Sequence, residues 1–200
     1  MNEVIHLEPR INAWNLVEYI GAGPLRRRGI LERSKYPSGF IADRLAPARS
    51  AIVDYLTGAI DRRALIEKTD AMVADDNVPR LCGELVLRLL TLESELTSAL
   101  GGAEFTAPPD VEGLDVEGVE VYGAVDLWVH ADCGVGCLSL AFPKDGQPVA
   151  ETSAKRVASI LRMHAASIVR DRSDDRACVV ADVFSGKIVK SVNARLKHYR

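Results

Sequence analysis

Val119-Glu-Val-Tyr-Gly-Ala-Val-Asp-Leu-Trp-Val129 and Cys137-Leu-Ser-Leu-Ala-Phe-Pro-Lys-Asp-Gly146 are the stretches that decide the fold of this chain. In the first, Val119, Val121, Val125, Leu127 and Val129 alternate with Glu120, Tyr122, Asp126, Trp128 and His130. That period of two predicts a strand with one apolar face. In the second, Cys137 to Phe142 is a short apolar strand. The turn-rich Ala131–Gly136 between them predicts a β-hairpin with a longer loop.

Outward from the hairpin the pattern is helical. Ala154, Val157, Ala158, Leu161, Ala165 and Ile168 recur at helical spacing and predict a helix over 152–169. Ala177 to Phe184 reads as a buried strand, Ser185-Gly186 as a tight turn and Lys187 to Val192 as its partner. Upstream, Leu85, Leu87, Leu89, Leu90, Leu92 and Leu96 give the segment 81–100 a broad apolar face, and Gly101-Gly102 ends it. Helices are expected at about 47–58 and 60–74. Trp14, Leu16, Val17 and Ile20 form one helical face, and a new helix begins at Leu25 after Gly21-Ala-Gly-Pro24. Tyr36-Pro-Ser-Gly39 reads as a loop, residues 101–115 as a linker, and Asn193 to Arg200 as a basic tail. The expected class is α/β, more narrowly α+β, with helices around a mixed sheet. A single domain over 1–200 is expected, its helical part at 1–107 and its αβ core at 108–200.

Two hundred residues at 48% hydrophobic can build one sizeable core. No apolar run approaches the roughly 18 residues of a membrane span, so no membrane partner is expected. The N-terminus lacks a basic region followed by an apolar one, and the four cysteines fit reduced thiols, so a cytoplasmic location is expected. The net charge of -3 is unevenly spread. Residues 1–50 carry 8 Lys/Arg against 5 Asp/Glu, residues 51–150 carry 6 against 18, and residues 151–200 carry 11 against 5. Basic ends around an acidic middle predict one positive surface zone if the ends meet in the fold.

The order of elements and three stretches resemble the RecB-type exonuclease branch of the PD-(D/E)XK nuclease superfamily. Ile11 to Arg27 is similar to the opening helix of that branch, with Gly23-Pro24 at the place of a Cys-Pro pair. Val119 to Val129 resembles the strand that bears the first catalytic Asp, in Gly123-Ala-Val-Asp126. Leu138 to Gly146 resembles the strand that bears acid-x-Lys, with Phe142 at the acid's place and Lys144 at the lysine's. The resemblance implies a restriction-endonuclease-like core. It also implies a magnesium or manganese ion held by Asp126, with Lys144 assisting the attacking water. Asp145, or Glu84 on the long helix, would have to replace the missing acid. The cysteines that hold an iron–sulfur cluster in some members have no counterpart at Gly23 or after Cys178, so no cluster is expected.

Each of these residues also has a plain reading. Asp126 fits a solvent-face acid, Lys144 a turn lysine, and Arg26-Arg27-Arg28 a solvated helix face. In the nucleic-acid reading Arg26, Arg27, Arg28, Lys155 and Arg156 contact phosphates. Three functions follow. The first is a DNA-binding protein of nuclease-like fold with impaired or lost cleavage. The second is an active magnesium- or manganese-dependent exonuclease with a displaced acid. The third is a protein-interaction module that kept only the fold and binds a protein partner.

Overall fold

The computed structural model describes residues 9–34, 44–108, 113–123, 125–142, 147–169 and 173–191. Five helices precede the main sheet: α1 (Ala13–Gly21), α2 (Pro24–Ser34), α3 (Ala46–Leu56), α4 (Arg62–Ala74) and α5 (Arg80–Leu100). A short β1 (Arg10–Asn12) comes before them. Then follow β2 (Glu104–Thr106), β3 (Leu114–Val116), β4 (Val119–Tyr122), β5 (Leu127–Ala131) and β6 (Gly134–Ala141). The chain ends in α6 (Glu151–Val169), β7 (Val179–Asp182) and β8 (Lys187–Lys190). The architecture is mixed α and β, with five strands in the order β2-β5-β6-β7-β8 and a side sheet β1-β4-β3.

Connections explain the sheet. The turn at Asp132-Cys133 is too short for anything but an antiparallel β5–β6 pair, in register Leu127↔Leu138. The long α6 crossover makes β6 and β7 parallel, in register Leu138↔Val179. Both faces of β6 and β7 are therefore covered. Residues Gly136–Ala141 and all of β7 are buried, as for strands between two helical layers.

The two faces carry separate cores. Leu127, Val129, Leu138, Leu140, Val179 and Ala181 pack with α3, α4 and α5. Trp128, Cys137, Ala141, Cys178 and Val180 pack with α6 and with Val17 and Ile30 of α1 and α2. The helical half thus contributes to both layers around the sheet. On α5 the leucine face is as expected at Leu85, Leu89, Leu92 and Leu96, but Leu87 lies outside it and is 50% exposed.

Three expectations are corrected. Val119–Val129 is not one strand. Gly123 adopts φ 71, a left-handed conformation that favours glycine, and the chain leaves the side sheet there before entering the main one. Val121 consequently packs in the α6 core, whereas Leu127 and Val129 pack in the opposite one. The segment 101–115 is not a plain linker, since it contains β2, paired with β5, and the start of β3. The second hairpin strand starts at Gly134, so the intervening turn is shorter than expected. The loop at Tyr36–Gly39 and the tail Asn193–Arg200 lie outside the described residues.

Candidate functional site

Asp126 stands where β5 begins, beside the C-terminal half of β6. Its Oδ2 accepts a 2.7 Å hydrogen bond from the Leu140 backbone N–H. Its Oδ1 accepts a hydrogen bond from Nη1 of Arg49, and the two side chains form an ion pair. Arg49 is the one basic residue of α3, whose Ala48, Ala51 and Ile52 are buried against α5 and the sheet. The helix therefore carries the guanidinium over the end of β6. There it lies 4.7 Å from the centre of the Phe142 ring, and Nη1 is 3.5 Å from the Leu140 carbonyl. A cation on an aromatic face is favourable, more so where water is partly excluded. Phe142 itself is half-buried against the α3–α5 core.

A second arginine repeats the arrangement one strand away. Arg88 of α5 lies 4.4 Å from the Phe184 ring centre and donates to the Phe184 carbonyl. Asp182, the last residue of β7 and two residues before Phe184, is only 3% exposed. It accepts hydrogen bonds from the backbone of Val149, Phe184 and Ser185 and from Ser185 Oγ at 2.6 Å. Those donors satisfy a buried carboxylate and join the approach to α6 to the β7–β8 turn.

These residues do not fit a divalent cation. Magnesium takes oxygen ligands at about 2.0–2.1 Å in octahedral geometry, usually with one or two carboxylates. At this end of the sheet Asp126 already faces a guanidinium, Asp182 is consumed by four donors, and Phe142 offers no oxygen. Glu84, the other acid considered, is exposed on α5 and forms no ion pair among the described residues. Among the described residues no hydrogen bond or ion pair joins it to Asp126. Asp145 and Lys144 lie outside the described residues. Among the described residues, no three His, Cys, Asp or Glu side chains converge to hold a metal.

The basic residues are brought together. Arg27 of α2 donates from Nε to the Tyr19 carbonyl at 3.1 Å and from Nη2 to the Ile20 carbonyl at 3.3 Å, capping the end of α1. Arg156 of α6 reaches the same end, its Nη1 3.8 Å from where a Cβ on Gly21 would stand. Arg26 pairs with Glu18, Arg28 with Glu32 and Lys155 with Glu151. The positive zone at the α1–α2–α6 corner therefore contains acids as well, each holding a guanidinium or ammonium in place.

Sequence reasoning missed Arg49, Arg88 and Asp182. Arg49 lies 77 positions before Asp126. Its signal was a lone basic residue in a helix that is otherwise mostly apolar. Comparison with protein-family models, with curated proteins and with solved structures finds no match to this chain. Among the described residues no helix is long and apolar enough to cross a membrane.

Proposed function

We propose that this chain is a nucleic-acid-binding protein of RecB-nuclease-like fold in which metal-dependent phosphodiester cleavage has been lost. The observation that carries the reading is the Arg49 guanidinium, paired with Asp126 and lying on Phe142. In the resembling nucleases a metal would bridge an Asp and an acid at those two positions. Here one fixed organic cation neutralises the Asp, and the partner acid is an aromatic ring that the cation stacks on. A guanidinium supplies positive charge but cannot lower the pKa of a bound water as a metal does. Asp126 is then a structural anchor that ties α3 to the sheet. Binding falls to the α1–α2–α6 corner, where Arg26, Arg27, Arg28, Lys155 and Arg156 face phosphate.

The test is binding of labelled 12-mer oligonucleotides over a salt series, beside incubation with magnesium and manganese. Five phosphate contacts give a slope of log K against log[salt] of about -3.5 for a single strand and about -4.5 for a duplex. No degradation is expected with either metal. Metal-dependent cleavage abolished by Asp126→Ala would instead make the chain an active exonuclease with a displaced acid. No binding at low salt would refute the reading. One observation favours the protein-interaction alternative: three of the five basic side chains are already paired with Glu18, Glu32 or Glu151. Charge reversal at Arg26–Arg28 that leaves oligonucleotide retention unchanged would decide for that alternative.

A further inference from the structure

A cavity of about 250 Å³ lies between the side sheet and α6. Ala13, Val121, Val125, Ile160 and Leu161 form the apolar part of its lining. Four polar side chains reach it: Arg10, Glu120, Tyr122 and His164. The Arg10 guanidinium carbon lies over Tyr122, 4.2 Å from the ring centre. Arg10 Nε is buried without a hydrogen bond, although Glu120 Oε2 stands 3.4 Å away. The Tyr122 hydroxyl and the His164 ring form no hydrogen bond among the described residues. Burial holds His164 below the ordinary histidine range, so at neutral pH its ring offers one donor and one acceptor.

We propose that this cavity takes one unpaired nucleobase, so that the nucleic acid bound is single-stranded; the inference rests on the nucleic-acid reading above. The volume is below the roughly 300 Å³ at which pockets for drug-sized ligands begin, and suits one flat ring system. Guanidinium and aromatic planes are stacking platforms for bases. Tyr122 and His164 supply donors and acceptors to a base edge, while Glu120, which accepts from the Gly113 N–H and pairs with Arg10, holds the guanidinium. A base held inside a duplex cannot present its face and its pairing edge together, so the occupant is unstacked and unpaired.

The basic corner is placed to hold the strand on either side of such a base. Ala13, the first residue of α1, lines the cavity, and Gly21, the last, lies near the Arg156 guanidinium. The helix between them is about 12 Å long, a few nucleotide steps along a strand. Phosphates at Arg27 and Arg156 would therefore sit within reach of a base in the cavity.

The full chain is tested with fluorescein-labelled single-stranded and duplex 12-mer deoxyoligonucleotides at low salt. Val125→Phe fills the cavity and leaves every charge in place; His164→Ala removes one edge contact. Folding of each is checked by its thermal transition, so that either variant alone suffices. The expected result is that single strands bind at least tenfold more tightly than the duplex. Val125→Phe should then lose about fivefold to a hundredfold of single-strand affinity, the range for one stacked base, with duplex affinity unchanged. A folded variant that binds single strands as well as the parent overturns the cavity proposal, and so does equal or tighter duplex binding. Both results leave the nucleic-acid reading standing. Failure of the parent protein to bind any oligonucleotide removes that reading and the cavity proposal together.

Discussion

Replacing Asp126 separates a structural carboxylate from one waiting for a metal. In an empty metal site, acids repel one another, and neutralising one raises stability. Here Asp126 is the more buried partner of a pair with Arg49, their side chains being 10% and 35% exposed. Removing one member of a buried pair costs about 3–5 kcal/mol. In Asp126→Asn the charge that loses its counter-ion is Arg49, which is about one-third exposed and regains water, so the cost falls to about 2 kcal/mol. In Arg49→Met the buried carboxylate loses its guanidinium, and the contact with Phe142 is lost too. That variant should lose about 3 kcal/mol or more. Urea denaturation of both single variants and the double variant measures the coupling, expected at about 1.5 kcal/mol or more. For a chain of this length 2 kcal/mol lowers Tm by about 4–8 °C. An Asp126→Asn variant as stable as the parent, or more so, would refute the anchor reasoning. So would a magnesium-dependent rise in Tm that Asp126→Asn abolishes, since a site holding the ion at tenfold its Kd would add about 1.4 kcal/mol.

Gly136→Ala should cost about 1–3 kcal/mol in urea denaturation, because a Cβ there would overlap the Ala177 carbonyl across the β6–β7 approach. The pH dependence of stability should contain a step from His164. Burial lowers its folded pKa beneath the ordinary 6.5, so its neutral form is favoured in the fold. Its contribution is fully present above pH 6.5 and is lost as pH falls through the window below that value. His164→Phe should flatten this window in urea titrations between pH 7.5 and 5. With iodoacetamide, half-buried Cys133 should be alkylated in the folded protein while Cys82, Cys137 and Cys178 are protected. Burial pushes Cys178 up to about 11 from an ordinary 9, which cuts its thiolate fraction about a hundredfold. Equal labelling of all four under native conditions would contradict the buried packing around β6 and β7.

The helices were legible because each buries one face. The spacing of Ala154, Val157, Leu161 and Ala165 marks α6, and the leucines of 85–96 mark α5. The β7–β8 pair was legible from a continuous apolar run, a Ser-Gly turn and a shorter partner. Three features were not. The break at Gly123 depends on the pairing of β4 with residues 10–12 and on Asn12, whose Nδ2 donates to the Gly123 carbonyl at 3.2 Å. Period-two alternation runs through the break unchanged, since it reports strand character and not which sheet a strand joins. β2 is three residues long, too short to carry a pattern. The pairing of Arg49 with Asp126 is a tertiary fact, and the motif around Asp126 reads the same whether the neighbour is a metal or a guanidinium. The absence of an acid at Phe142 was visible in the sequence; what replaces the missing charge was not.

The parallel pairing of β1 with β4 also sets an order of assembly. Asn12 caps α1 by accepting from the Trp14 N–H at 2.9 Å and reaches Gly123 across 111 positions. β1 and the apolar face of α1 thus lack their sheet partner until that far strand exists, although α1 and α2 can already pair with each other. Synthesis at about 5–20 residues per second leaves them waiting about 6–20 s. During that time Ile11, Val17 and Ile30, all buried in the finished protein, are open to water. A nascent chain that stalls before Gly123 lacks both β4's end and α6, and presents α1 and α2 with Arg26, Arg27 and Arg28 on one side and the apolar residues that α6 later covers on the other.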